Sequence, residues 1–235
     1  MDFGGPSTVP EPLTIALPSG EHWEKQGFSM LVFCKYNLIF FAVPKTGTTS
    51  YHAALKGKAD IIFRGRPAVK HMNVRKYQRS FAPFLDKAFD LRPETMAVMR
   101  EPLDLMRSWY KYRSRLPKGD KNGTKGISFE QFIRAALQEN SPPYAAVGNQ
   151  MTFLQNDAGT NGVNHLFAIE QADVLNEFLG NVFNDLGKIP RKNVSPSVPT
   201  PISTDLEAEF REARADEYAL YNQVIKSGGY LNTPG

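Results

Sequence analysis

The stretch that decides the fold is the run from Leu38 to Ser50, which reads LIFFAVPKTGTTS. Its first six residues, up to Val43, are continuously apolar, as expected of a central strand that is buried on both faces. Pro44 to Ser50 then supply a glycine-containing turn, and helix-forming residues continue to Lys56. The run therefore predicts a strand, a tight turn and the first turns of a helix.

This strand, turn and helix predict a site for an anion. A helix N-terminus behind a strand points several backbone N–H groups at one position, and the helix dipole adds positive potential there. The turn also carries the Lys45 ammonium and more hydroxyls than helix capping needs, from Thr46, Thr48, Thr49 and Ser50. Such donors suit the many oxygens of a phosphate or sulfate. The alternative is a capped turn that binds nothing.

A nucleoside-triphosphate loop is disfavoured by the order of the residues. In those loops a lysine follows the second glycine, in the pattern G-x-x-x-x-G-K-[ST], whereas Lys45 precedes Gly47. The strand predicted at 95–99 is followed by Arg100, at a point where an NTPase would place the acid that holds Mg²⁺. The residues favour transfer, without a metal, of a group that is already activated.

Apolar strands alternate with helices along the chain, which indicates an α/β fold with a mainly parallel central sheet flanked by helices. Strands are predicted at 29–35, 37–43, 61–63, 95–99 and 165–169, the first two as a hairpin. Helices are predicted at 51–56, 103–115, 129–138, 172–186 and 204–228, with capping boxes at Ser128/Gln131 and Thr204/Glu207. Residues 1–21 predict an irregular N-terminal arm, and residues 22–235 a single domain.

Composition supports one compact soluble domain. The 235 residues are too few for two ordinary domains, and 41% hydrophobic with 22% charged residues excludes disorder. The longest apolar stretch is interrupted by Lys35 and Asn37, so no membrane span is predicted. The single cysteine, Cys34, excludes an internal disulfide and favours a reducing compartment. Because no signal peptide is recognised either, a cytoplasmic location is expected.

The net charge of +4 hides two basic windows that contain no acid. The first contains Arg64, Arg66, Lys70, His71, Arg75, Lys76 and Arg79, and the second Arg107, Lys111, Arg113, Arg115 and Lys118. Such runs are often only solvated faces. Beside a phosphate site, however, they would attract an anionic partner.

Two motifs resemble those of sulfotransferases that use 3′-phosphoadenosine 5′-phosphosulfate (PAPS). Residues 43–50, VPKTGTTS, resemble the family's 5′-phosphosulfate loop. The sequence MREP at 99–102, followed by Ser108, resembles its 3′-phosphate motif. The resemblance covers residues 35–200 and implies a P-loop-like sulfotransferase fold. It also implies a PAPS cosubstrate, the product 3′,5′-phosphoadenosine (PAP) and no metal.

The resemblance also implies roles for individual residues. Lys45 would stabilise the leaving group, and Arg100 with Ser108 would hold the 3′-phosphate. The 5′ end would be bound by Lys45, Thr46, Gly47, Thr48, Thr49 and Ser50.

The expected catalytic base is His71. Residues 67–72, PAVKHM, resemble the base region of the carbohydrate 2-O-sulfotransferase branch, and the chain as a whole resembles the carbohydrate O-sulfotransferase-like bacterial branch. Nearby cations should keep this imidazole unprotonated. His52, Glu101 and Glu170 are the alternatives. His22 and His165 are expected to be structural.

The implied function is transfer of a sulfuryl group from PAPS to an acceptor hydroxyl, as of a sugar or another small alcohol. The first basic window, beside His71, hints at an anionic acceptor, and no nucleic-acid partner is expected. A loop at 190–196 is expected to close over the adenosine. Two other functions stay open. One is a P-loop kinase that uses ATP, and the other is a non-enzymatic anion-binding or nucleic-acid-binding module.

Overall fold

The chain forms one α/β unit around a six-stranded sheet. The computed structural model describes residues 30–64, 67–184, 186, 189 and 198–234, with only the backbone of residues 67 and 68. The strands are β1 Leu31–Phe33, β2 Leu38–Phe40, β3 Ile61–Ile62, β4 Glu94–Met99, β5 His165–Ala168 and β6 Tyr230–Asn232. The helices are α1 Thr48–Leu55, α2 Pro67–Lys70, α3 Val74–Lys76, α4 Ala82–Phe89, α5 Pro102–Arg113, α6 Phe129–Ala136, α7 Gln150–Leu154, α8 Ala172–Phe183, α9 Thr204–Ala213 and α10 Ala215–Lys226.

The sheet is mixed, with the order β3-β1-β2-β4-β5-β6, so the prediction of a mainly parallel sheet is wrong. Its centre is parallel, because β4 pairs in parallel with both β2 and β5. The predicted hairpin of β1 and β2 is confirmed, and β3 and β6 also pair antiparallel with their neighbours. Three of the five pairings among the described strands are therefore antiparallel. A hairpin has no room for the crossover that parallel pairing needs.

Both faces of the sheet are covered, which explains the apolar run of β2. Leu38 and Phe40 face one side, where α1 and α8 pack. Ile39 and Phe41 face the other, where α3, α4, α7 and α10 pack. A separate apolar cluster joins α5, α6 and α9 beside the sheet. A strand between two helical layers needs apolar residues at consecutive positions, because its side chains alternate between the two faces.

The helices follow the local signals in some places and depart from them in others. The capping box at Ser128 and Gln131 is confirmed, with both of its hydrogen bonds formed. The single helix predicted at 204–228 is wrong, because the backbone breaks at Arg214 and divides it into α9 and α10. The box at Thr204 is also wrong, because the N-cap is Ser203 and Glu207 accepts hydrogen bonds from Arg211. No helix was predicted at 67–89 or 150–154.

Several predicted features lie outside the described residues. These are the arm at 1–21, His22, Arg66 and the loop at 190–196. Among the helices that are described, none has the length and apolar character needed to cross a membrane.

Candidate anion-binding site

The candidate site lies at the edge where the three parallel strands end. The backbone continues from β2 as a buried segment into the turn at 44–47, while β4 is followed by Arg100 and β5 by Ile169. Gly47 contacts Ile169 so closely that an added Cβ would lie 2.9 Å from Ile169 Cδ1, and its φ of +75° also favours glycine. The turn and the ends of β4 and β5 thus meet at the carboxyl edge of the sheet, where open α/β folds bind ligands.

The backbone of the turn has N–H groups that no described backbone carbonyl accepts from. Lys45 and Gly47 both have positive φ, at 69° and 75°, and Gly47 is the N-cap of α1 with no side-chain cap. No backbone carbonyl of the described residues accepts from the N–H groups of residues 45–49, whereas Ser50 N–H donates to Gly47 O. Left-handed residues within such a turn orient successive N–H groups toward one point, which suits an anion.

Two buried donors at this edge have no hydrogen-bond partner among the described residues. One is Oγ1 of Thr48, whose residue is 3% exposed, and the other is Nε of Arg100. Buried polar groups are otherwise almost always hydrogen-bonded, so these two atoms are candidate ligand donors. Thr46 differs, because its Oγ1 donates to Val43 O at 2.9 Å and so closes the turn. Thr46 therefore offers a ligand its backbone N–H rather than its hydroxyl.

Two further cations act on Lys45 in the turn. Burial and the positive charges of Arg115 and Arg100 lower the pKa of Lys45 to about 8. Within the described part of the chain, no carboxylate forms an ion pair with any of these three side chains. A cluster of cations without a counter-charge raises the local potential, and an anion would relieve their mutual repulsion.

Arg100 is held in place by a buried network that the sequence did not predict. Gln150 Oε1 accepts from Arg100 N–H at 2.9 Å, and Gln150 Nε2 donates to Arg100 O at 2.8 Å. Gln150 Nε2 also donates to Oε1 of Glu217, which is only 1% exposed and whose other oxygen accepts from Arg214. Burial raises the pKa of Glu217, and these hydrogen bonds oppose that rise. The network fixes the backbone from which the Arg100 side chain projects.

Ser108 lies on α5 and is 6% exposed. Pro102 occupies the first turn of that helix, as predicted. Among the described residues no hydrogen bond joins Ser108 to Arg100, so the pairing of these two side chains around one phosphate stays a prediction.

His71 is anchored to the end of β2. Its Nδ1 lies 2.8 Å from Ala42 O, and because a carbonyl can only accept, Nδ1 carries the hydrogen. In the neutral ring the lone pair is then on Nε2. Burial and the charge of Lys70 lower the pKa of His71, against the opposing effect of the Ala42 hydrogen bond. A lowered pKa favours the neutral imidazole, and the ring is anchored to Ala42, which precedes Lys45 by three residues.

The two glutamates that were alternative bases are engaged in holding the fold. Glu101 caps α5, accepting from Asp104 N–H at 2.6 Å and from the Tyr218 hydroxyl at 2.8 Å. Glu170 accepts from Glu101 N–H at 2.9 Å and so ties the end of β5 to the end of β4. His52 stays an alternative, since its Nε2 is buried without a partner among the described residues. Burial and the charges of Arg64 and Lys56 lower its pKa.

Four of the cations in the two basic windows contact other parts of the fold. Arg75 and Arg79 both pair with Asp157, and Arg107 pairs with Asp104. Arg113 is 9% exposed and donates to two backbone carbonyls. Arg113 is therefore not part of a solvated face, whereas Arg79, Arg115 and Lys118 are exposed. The described side chains of His, Cys, Asp and Glu include no group of three or more that could hold a metal ion.

Comparison with known proteins leaves the family open. No family model matches the chain, and neither the curated proteins nor the solved structures include one that matches it.

Proposed function

We propose that the protein is a sulfotransferase that moves a sulfuryl group from PAPS to an acceptor hydroxyl. The observation that carries the proposal is the cluster at the turn: the cations of Lys45, Arg100 and Arg115, the unpartnered Thr48 hydroxyl and the N–H groups of residues 45–49. The order of the two motifs along the chain adds support, because it resembles the order in PAPS-dependent enzymes.

Two groups of residues would bind a nucleotide that carries phosphate at both its 5′ and 3′ positions. The turn at 45–50 would hold the 5′-phosphosulfate, with hydroxyl donors from Thr48, Thr49 and Ser50. Arg100 would hold the 3′-phosphate through its guanidinium, whose Nε is a buried donor without a described partner. Ser108, on the helix that follows, would be its second ligand. When bound, PAPS supplies a sulfuryl group that is already activated by attachment to a phosphate.

Lys45 stabilises the negative charge that grows on the phosphate side of the breaking bond. Its half-buried ammonium lies in a region of low dielectric, where a fixed positive charge is worth more than in water. With a pKa of about 8, the side chain is still mostly protonated at neutral pH. Above that pH the charge is lost, so catalysis should decline.

His71 accepts the proton of the acceptor hydroxyl at Nε2. The hydrogen bond from Nδ1 to Ala42 O fixes the ring and its tautomer, and it stays favourable when the ring becomes charged. The lowered pKa keeps the base free of a proton before reaction. The acceptor is thus deprotonated at the edge of the sheet that also carries Lys45.

The proposal is tested by the turnover of PAPS. Purified protein is incubated with PAPS and a panel of sugar and small alcohol acceptors, and PAP release is followed, with slow hydrolysis by water as the acceptor-free assay. We expect PAP release that persists in EDTA and is lost in Lys45→Met. Turnover of ATP with Mg²⁺ but not of PAPS would indicate a kinase instead. Binding of generic polyanions without turnover, with steep salt dependence, would indicate a binding module.

A further inference from the structure

The ammonium of Lys45 lies over two aromatic rings of α5. Its Nζ is 4.3 Å from the ring centroid of Tyr112 and 5.7 Å from that of Trp109. The two rings are three residues apart on the helix and pack edge to face, with centroids 5.9 Å apart. Both distances from Nζ are within the range in which a cation is attracted to the face of a ring.

We propose that Trp109 and Tyr112 are positioning residues, which hold the Lys45 ammonium at the turn by cation–π attraction. We call this pair of rings the aromatic seat. The seat itself follows from the contacts, whereas its consequence for catalysis rests on the proposed sulfuryl transfer. In that reaction the seat would keep the ammonium beside the leaving phosphate instead of letting it extend into solvent.

Lys45 needs such a partner because its other neighbours repel it. Arg100, at the end of β4, and Arg115, just beyond α5, both act on it as positive charges. No described carboxylate pairs with it, and no described acceptor takes a hydrogen bond from Nζ. Its backbone also has a positive φ of 69°, which is uncommon for a lysine. The rings of the seat are therefore the attractive contacts that the described residues offer to this charge.

The seat is itself fixed by a buried arginine. The Cζ of Arg113 lies 5.1 Å from the ring centroid of Trp109. Its Nη1 donates to Pro143 O at 3.0 Å and its Nη2 to Ala146 O at 2.9 Å. Trp109 is thus held from within the protein, while Tyr112, which is 37% exposed, covers Lys45 from the open side. Tyr112 is therefore the residue to substitute in a test, because its replacement leaves the contact between Trp109 and Arg113 intact.

The test measures the pKa of Lys45 directly. Lysine side chains labelled with ¹³C are titrated by NMR in the whole protein, and Lys45→Met identifies the Lys45 signal. Tyr112→Leu keeps an apolar side chain over the ammonium but removes the ring, whereas Tyr112→Phe keeps the ring and loses the hydroxyl. We expect the pKa of Lys45 to fall by about 0.5 to 1 pH unit in Tyr112→Leu and to stay unchanged in Tyr112→Phe, because a cation–π contact favours the charged form.

Kinetics give a second readout that a structural role alone would not move. In Tyr112→Leu the loss of PAPS turnover at high pH should begin at a lower pH than in wild type, and kcat should fall. The affinity for PAP should stay within about 3-fold of wild type. An unchanged or raised pKa in Tyr112→Leu would overturn the seat, even if PAPS turnover is normal. If the pKa of Lys45 falls as expected in Tyr112→Leu but the wild-type protein does not turn over PAPS, the aromatic seat is supported and the sulfotransferase proposal is refuted.

Discussion

Replacing Thr48 by valine should make the protein more stable and a poorer binder of PAP. The Thr48 side chain is almost fully buried, and its hydroxyl has no partner among the described residues. A buried polar group without a partner costs about 1 to 3 kcal/mol, and valine has nearly the same shape without that group. The free energy of unfolding of Thr48→Val should therefore rise by about 1 to 3 kcal/mol, or about 2 to 4 °C in Tm for each kcal/mol.

The same substitution should weaken ligand binding. A hydroxyl that donates to an anionic oxygen contributes about 1.5 to 3 kcal/mol, so the Kd for PAP should rise about 10- to 100-fold. Stability is measured by urea unfolding without ligand, and affinity by isothermal titration calorimetry.

Thr46→Val is the matched control, since it makes the same chemical change two residues away. The Thr46 hydroxyl donates to Val43 O, so its loss should lower the free energy of unfolding by about 0.5 to 1.5 kcal/mol. The two variants should thus change stability in opposite directions. A Thr48→Val protein that is less stable than wild type, and that binds PAP equally well, would refute the assignment of this hydroxyl as a ligand donor.

Three further substitutions separate the roles of the charged and basic side chains. Lys45→Ala should lower kcat about 10²- to 10³-fold and PAP affinity much less, because the charge that it stabilises develops during transfer; an equal loss in both would contradict this role. Arg100→Ala should raise the Kd for PAP about 10- to 100-fold and leave that for AMP nearly unchanged, as measured by calorimetry. His71→Ala should keep the fold and PAP affinity but lose about 10² to 10⁴ in rate. In wild type the rate should fall only once the pH is below the ordinary histidine pKa, since burial lowers the pKa of this base and an imidazolium cannot accept a proton. Normal turnover by His71→Ala, with loss in His52→Ala, would move the base to α1.

Local signals predicted the elements that form the site. The apolar run at 38–43 is readable because its strand is buried on both sides, and Gly47 marks a turn that needs positive φ. Pro102 marks the start of α5 because its ring suits a first helical turn and its missing N–H costs nothing there. These features depend on residues a few positions apart, so the sequence displays them directly.

Features that depend on distant contacts could not be predicted. Gln150 meets the backbone of Arg100 across 50 residues, and Glu217 meets Gln150 across 67. Neither residue lies in a motif. The acceptor of the Thr46 hydroxyl also could not be predicted from the sequence, because a threonine in a turn can donate its hydrogen bond either to a ligand or to a backbone carbonyl. Glu101 gave no signal as a helix cap, since glutamate is not among the preferred N-cap residues.

The antiparallel edges of the sheet escaped prediction for a related reason. β6 has only three residues, which is too short for a periodic pattern, and it follows α10 through Gly228 and Gly229. Its pairing with β5 depends on where α10 packs. That packing follows from the whole core, not from the segment itself.

The most direct test of the central claim compares the binding of PAP and AMP to the wild-type protein by calorimetry at one salt concentration. The two nucleotides differ in the 3′-phosphate and share the 5′-phosphate, so their ratio reports whether Arg100 and its surroundings form a second phosphate site beside the turn at Lys45. We expect PAP to bind at least about 10-fold more tightly than AMP, as one added charge-assisted contact requires. Equal dissociation constants for PAP and AMP would contradict it.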